Sequence, residues 1–151
     1  MTHLPQPSIR RGASADLGAV LVLLTEAGLP TVDLTSARGR QTWVLDAGDS
    51  LQGVIALERY GTDGLLRSLA VAPDYRKHGF GRELVSRLEY DTQAEGIAQL
   101  VLLTKTAEPF FRGLGYEVVD RRYVSPDLKQ SAEFRSLCPA SAVCMRKALP
   151  S

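Results

Sequence analysis

The chain has 151 residues, of which 44% are hydrophobic and 23% charged. Those values suit one globular domain spanning 1–151 and exclude a disordered tail, a collagen-like fibre and a long coiled coil. With 18 basic and 17 acidic residues the net charge is +1, so the long-range basic field needed to hold nucleic acid or a membrane surface is absent. Two cysteines, Cys138 and Cys144, are too few for the disulfide framework of a small secreted domain. Met1 to Arg11 holds two prolines and no apolar run, unlike a signal peptide, and the longest apolar stretch, Val20 to Leu24, is far short of the ~20 residues that cross a membrane. The expectation is a cytoplasmic protein.

In chain order, Ser8 to Arg11 reads as a short strand. Ser14 is placed to cap a helix running to Ala27, with Asp16 in its first turn and Gly28 and Pro30 stopping it. A polar connection, Thr31 to Arg40, follows. Thr42 to Asp46 and Leu51 to Tyr60 are strands, and Gly61-Thr62-Asp63-Gly64 is a hairpin turn. Leu65 to Val71 is almost wholly apolar and so a central strand. Gly79 to Glu95 has helical spacing, with Phe80, Leu84, Val85 and Leu88 on one face. Gln99 to Leu103 is a buried strand, Ala107 to Leu114 a short helix and Tyr116 to Asp120 a strand. Ser125 caps a further helix with Pro126 at its first position, and Ala142 to Arg146 is a last strand. The order is that of a mixed α/β domain.

The most informative stretch runs from Leu69 to Arg82. A buried strand enters a turn and the turn enters a helix at Gly79 and Gly81. Glycine there lets backbone N–H groups approach a ligand, and the first N–H groups of a helix are unpaired and carry the positive end of its dipole. Such a loop suits a pyrophosphate. Arg76, Lys77, His78 and Arg82 add positive charge. The pattern is neither a Walker loop nor a three-glycine dinucleotide fingerprint. On these residues alone, a tight strand-to-helix turn that binds nothing stands beside the anion site.

Arg76-x-x-Gly79-x-Gly81, after a strand ending Leu69-Ala70-Val71-x-Pro73, resembles the acetyl-CoA-binding motif of the GNAT N-acetyltransferase superfamily. Thr104-x-x-Ala107-x-x-Phe110-Phe111-x-x-Leu114-Gly115-Tyr116 is similar to a second segment of that superfamily, Asn-x-x-Ala-x-x-Phe-Tyr-x-x-x-Gly-Phe/Tyr. Three further segments resemble the N-acetyltransferase-like proteins of bacterial arsenic-resistance operons. These are Leu66 to Pro73, Thr106 to Phe111, and the tail Ser131 to Met145. The resemblance implies a GNAT fold, a central, mostly antiparallel sheet with splayed strands and flanking helices. It implies acetyl transfer from acetyl-CoA to a primary amine, by direct attack in a ternary complex. The acceptor is then a small molecule, amino-acid-like or arsenical, and a homodimer is among the arrangements its relatives suggest.

By the same resemblance the backbone of Leu69, Ala70 and Val71 would hold pantetheine and thioester. Lys77, His78, Gly79, Phe80, Gly81 and Arg82, with Arg76, would hold the pyrophosphate. Thr104 stands where relatives have an asparagine on the pantetheine, and Phe110 and Phe111 would wall the sulfur, with plain core packing the alternative and more so for Phe110. Two departures matter. Phe111 replaces a tyrosine that often protonates the leaving thiolate, and Leu65 stands where some relatives have a glutamate. Glu58, near the end of its strand, is then the candidate base or ammonium ligand, and an ion-paired strand residue is its alternative. Arg67 shares the face of Leu69 and Val71 by period two and could fork onto a substrate carboxylate or form an internal ion pair. Tyr60 and Tyr116 are further proton donors or core residues. His78, in the loop, and His3, in the terminus, are not expected to do acid–base chemistry. No metal site is expected. Two other classes stay open: a non-catalytic acyl-CoA sensor or scaffold, and a metalloid binder using Cys138 and Cys144.

Overall fold

A computed structural model describes residues 6–31, 40–131, 134–135 and 141–150. Its elements are β1 (Ser8–Arg11), α1 (Leu17–Glu26), β2 (Arg40–Asp46), β3 (Leu51–Tyr60), β4 (Asp63–Val71), α2 (Phe80–Ala94), β5 (Gln99–Thr104), α3 (Glu108–Arg112), β6 (Glu117–Val118), α4 (Pro126–Lys129) and β7 (Val143–Ala148). The seven strands lie in one sheet in the order β1-β2-β3-β4-β5-β7-β6. The β1–β2, β5–β7 and β6–β7 ladders are antiparallel and β4–β5 is parallel, which makes the sheet mixed. This is the α/β architecture expected from the sequence. No helix among the described residues is long and apolar enough to cross a membrane.

Contacts divide the chain into two compact units, and β3 and β4 each contribute to both. The first comprises Met1–Ala56 and Ser68–Tyr90. In it, Val20, Leu23 and Leu24 of α1 pack on Val44, Val54 and Ala70. Successive strand residues face opposite ways, so Leu45 and Val71 join a different cluster, with Ala47, Tyr75 and Phe80. Leu84 of α2 comes so close to β3 that a Cβ on Gly53 would lie 3.3 Å from its Cδ1 and 3.2 Å from the Ala70 carbonyl. Glycine there sets how closely the helix sits on the sheet.

The start of α1 differs from the sequence expectation. Ser14–Asp16 forms a 3-10 turn capped by Ala13, not Ser14. Asp16 takes over the capping work: its carboxylate accepts from the Ala13 N–H at 2.7 Å. Arg10 forks onto the same carboxylate at 2.9 and 3.0 Å and also donates to Asp46 at 2.9 Å. The Arg10 hydrogen bonds and the Ala13 N–H hold the Asp16 carboxyl down to about 2. A carboxyl whose folded value is depressed stabilises the fold above its unfolded value and loses that contribution as pH falls through the folded one. Asp16→Asn is expected to cost about 1 kcal/mol at neutral pH, after discounting for the exposed Arg10. The difference between variant and parent should vanish from about pH 4 down to pH 2. Thermal unfolding across that range measures it.

The second unit comprises Leu57–Arg67 and Asp91–Ser151. Its core joins Leu65, Val101, Val124, Leu128 and Cys144. The hairpin turn is tighter than expected, because Asp63 and Gly64 already belong to β4 and only Gly61 and Thr62 turn. The helix expected over Ala107 to Leu114 is shorter, since Leu114 and Gly115 donate to Phe111 and Arg112, three residues back, and the last turn tightens. The strand expected over Tyr116 to Asp120 keeps two residues, because the Asp120 carboxylate accepts from the Arg122 N–H at 2.9 Å and opens the next turn. Ser125 caps α4 as expected, accepting from Leu128 N–H. Residues 32–39 of the polar connection and much of the tail, Cys138 included, lie outside the described residues.

Candidate functional site

In the first unit the chemistry-bearing segment is built outward from a buried anchor. After β4, Pro73–Tyr75 makes one 3-10 turn and buries Tyr75 against Leu45 and Ala47. The Tyr75 ring stands 6.0 Å from that of Phe80 at the head of α2. Both ends of the loop are thereby fixed by apolar packing, while Arg76, Lys77, His78 and Gly79 between them are exposed. Lys77 and Gly79 are left-handed, with φ of 67 and 83°. Left-handed backbone on either side of His78 turns the chain sharply here, in a loop of the kind that presents backbone N–H groups to an anion. A Cβ built on Gly79 meets nothing within 4 Å, so that side of the loop is open.

The Gly79 carbonyl accepts from Glu83 N–H at 3.0 Å and begins the helical ladder. The N–H groups of Phe80, Gly81 and Arg82 therefore precede the first intrahelical bond, at the positive end of the dipole. Arg82 is exposed beside them. Arg76 does more than add charge. Its Nε donates to the Val71 carbonyl at 2.9 Å and braces the loop against the strand end. The Val71 carbonyl, expected to face a ligand, already holds that bond. Leu69 is half-buried and Ala70 buried.

One residue of β4 changes the reading of the strand. Ser68 is left-handed, with φ of 61°, a conformation that costs a non-glycine residue of order 1 kcal/mol. It interrupts the alternation of side chains, so counting in twos from Arg67 does not reach the face of Leu69 and Val71. Arg67 is 3% exposed and donates to Glu58 Oε2 at 3.5 Å. The expectation that it shares their face is corrected. The residue forms the internal ion pair that had been its alternative. The β4–β5 ladder runs from Asp63↔Gln99 to Leu65↔Val101, while both strands continue beyond it.

In the second unit Glu58, Tyr60 and Arg67 form one cluster. Glu58 is 4% exposed, and the half-buried Tyr60 hydroxyl donates to its Oε1 at 3.2 Å. Thr104 Oγ1 accepts from Ala107 N–H at 2.9 Å and turns the chain toward α3. The phenylalanines reverse their expected roles. Phe111 is 5% exposed and Phe110 38%, because one helical step of about 100° separates them and Phe111 stands edge-on to Tyr116 at 5.4 Å. Tyr116 is itself buried, with Lys147 Nζ 5.5 Å from its ring. Cys144 is buried, and that burial raises its thiol above the ordinary value, which disfavours the thiolate a soft metalloid would need. Among the described residues no three His, Cys, Asp or Glu side chains gather as a metal site.

Sequence reasoning missed the link between Tyr60 and Glu58 and the left-handed Ser68. Period two along β3 does put Tyr60 on the face of Glu58, so the first was available. Nothing in Leu-Arg-Ser-Leu marks the second.

Comparison with known proteins fits this arrangement. The chain is 28% identical over 106 residues to an uncharacterised N-acetyltransferase of Chlorobaculum tepidum, covering 70% of this chain and 66% of that protein. It is 44% identical over 54 residues to the amino-acid acetyltransferase of Ectopseudomonas mendocina, 36% of this chain and 12% of that one. It thus spans less than two thirds of either relative. The fold is that of N-acetylglutamate synthase from Neisseria gonorrhoeae, solved with coenzyme A and N-acetyl-glutamate. That likeness has a TM-score of 0.80 at 18% identity and covers 97% of this chain and 36% of that one. Residues 38–118, more than half of the sequence and including the whole of the loop, match the model of the acetyltransferase (GNAT) domain, and the chain therefore belongs to the GNAT acetyltransferase family.

Proposed function

We propose that this chain is an acetyl-CoA-dependent N-acetyltransferase that acetylates the primary amine of a small, amino-acid-like acceptor by direct attack in a ternary complex. The observation that carries the reading is the 76–82 loop: exposed, basic, left-handed at Lys77 and Gly79, and opening α2 inside the region that matches the family. Its N–H groups, with Lys77 and Arg82, hold the pyrophosphate of acetyl-CoA, and His78 and Phe80 flank it. Arg76 positions the loop through Val71. The backbone of Leu69, Ala70 and Val71 holds the pantetheine arm. Thr104 and Phe111 are carried over from the second motif as pantetheine and sulfur contacts. The acceptor nitrogen attacks the thioester carbon, the C–S bond breaks, and the products are an amide and the free thiol. A backbone N–H aimed at the carbonyl oxygen stabilises the tetrahedral oxyanion.

The amine must lose a proton and the thiolate must gain one. We assign the first to Tyr60 and Glu58 acting in series: a proton taken at the phenol oxygen is matched by the one the phenol passes to Glu58 Oε1, 3.2 Å away. Phe111 has no proton to give, so water supplies the thiolate. Amine-dependent release of free thiol across a panel of amino acids, amides and polyamines tests the activity. An arsenical amino acid belongs in that panel, because the tail resemblance points to one. No turnover on any member overturns the reading. Glu58→Gln and Tyr60→Phe are each expected to lower kcat about 10²- to 10⁴-fold, while acetyl-CoA binding measured by calorimetry holds. A phenylalanine at 111, with no proton to give, favours one other reading, an acyl-CoA sensor without turnover; cofactor binding with no turnover on any amine is its signature.

A further inference from the structure

We propose that Arg76 is a displaceable latch on the donor site: it covers the Val71 carbonyl until a pyrophosphate draws it away, and so makes the enzyme select coenzyme A thioesters over pantetheine thioesters that lack that group. The inference deepens the N-acetyltransferase reading and rests on it for the identity of the donor. Every residue it uses lies in the first unit.

The contact that forms the latch is direct. Arg76 Nε donates to the Val71 carbonyl at 2.9 Å. Val71 is the last residue of β4, and its carbonyl shares a peptide with the Ala72 N–H. That N–H donates to the Gln52 carbonyl of β3 at 2.8 Å. The two groups of a trans peptide point opposite ways, so the Val71 carbonyl faces away from β3, at the strand end assigned to the pantetheine arm. A bond through Nε, rather than through a terminal nitrogen, brings the Cδ methylene and the guanidinium carbon up to the oxygen as well. The bulk of the side chain thereby lies across an acceptor that a pantetheine amide N–H would need.

The turn has other supports. The buried Tyr75 anchors it from beneath. The Tyr75 and Arg76 N–H groups donate to the Ala72 and Pro73 carbonyls at 2.9 and 3.3 Å. The backbone of Arg76 is thus placed while its side chain is exposed, and the latch can open by rotation of that side chain alone. Its position favours an exchange of partners. The next residue, Lys77, is the first left-handed residue of the loop, so Arg76 stands at the entry of the stretch assigned to the pyrophosphate. A guanidinium gains more from an ionised phosphate oxygen than from a neutral carbonyl. With coenzyme A the exchange is favourable, and it uncovers the carbonyl for the arm. With pantetheine there is no anion to receive Arg76, and a neutral amide N–H must displace a charged donor. That step costs about tenfold in affinity, the difference between hydrogen bonds with and without a charged partner.

The test titrates the full chain and its Arg76→Met variant with coenzyme A by calorimetry, and with pantetheine by NMR, which reads weak binding. Arg76→Met is expected to weaken coenzyme A about 10-fold, through the lost phosphate contact, and to tighten pantetheine about 3- to 10-fold, through the uncovered carbonyl. Changes of opposite sign are the signature of displacement. A brace that only shapes the loop would weaken both ligands, and a charge that only attracts phosphate would leave pantetheine unchanged. Either result overturns the latch while the donor reading stands. The Arg76 Nε–H signal of the parent supplies a measurement that does not depend on the variant folding. Saturation with coenzyme A should shift it; an unmoved signal means that the bond to Val71 persists, and overturns the proposal. If coenzyme A does not bind the parent at all, the acetyl-CoA reading itself falls, and the latch with it.

Discussion

Replacing Arg67 by methionine is expected to destabilise the protein by about 3–5 kcal/mol, the loss incurred when one partner of a buried ion pair is removed. The side chains of Arg67 and Glu58 are 0% and 5% exposed. Neither can recover its lost partner from bulk water. Methionine fills most of the arginine volume, so the cost comes from the buried carboxylate losing its counter-charge rather than from a cavity. The pairing itself is a different quantity. At 3.5 Å the contact is long, and two charges give up much of their hydration to make it. Arg67→Met combined with Glu58→Leu is therefore expected to recover most of the loss and to approach parental stability. Chemical denaturation of the two single variants and the double variant measures both. A loss below 1 kcal/mol for Arg67→Met would show that Glu58 gains nothing from the guanidinium. The activity should not recover with the stability: a double variant that folds as well as the parent, and whose kcat stays as low as that of Glu58→Gln, separates the proton-accepting role of Glu58 from its place in the core.

The same pair shows where the sequence was readable and where it was not. The elements around it were legible because their signals are local. Leu51 to Tyr60 was bounded by turns and emerged with those limits, and the Phe80–Ala94 helix announced itself by the spacing of Leu84, Val85 and Leu88, all buried. The loop between β4 and α2 was legible for the same reason, since its glycines and basic residues sit within seven positions of one another. What the loop needed from elsewhere, the burial of Tyr75 under Leu45 and Ala47, left no local trace. Arg67 was placed on the wrong face because period two holds only while every residue is extended. One left-handed serine breaks it, and serine is not a residue that advertises the left-handed region. Phe110 and Phe111 were adjacent candidates for the core, and only the position of Tyr116 decided between them.

Gly79→Val is expected to remove acetyl-CoA binding, at least 100-fold in affinity, while the chain stays folded. Two effects act at this position, and they differ in size. The first is conformational. With φ at 83°, Gly79 sits where a side chain is strained, a β-branched one most of all, at about 1–2 kcal/mol. The loop is exposed, so part of that strain can relax. Its neighbours offer no obstacle, because a Cβ there meets no protein atom within 4 Å. The second effect is on the ligand. The space that the protein leaves open beside Gly79 is the space a pyrophosphate would occupy, and hydrogen bonds to a charged oxygen are worth about 1.5–3 kcal/mol each. Losing two of them exceeds the strain and accounts for the 100-fold expectation. The outcome is thus a variant whose thermal midpoint moves by a few degrees and whose coenzyme A titration is flat. Gly79→Ala, with less of that strain and a smaller group, should lie between valine and the parent in both affinity and stability. If instead coenzyme A binds Gly79→Val as it binds the parent, the pyrophosphate is held somewhere other than the head of α2. The assignment of Lys77, Gly81 and Arg82 then falls with it.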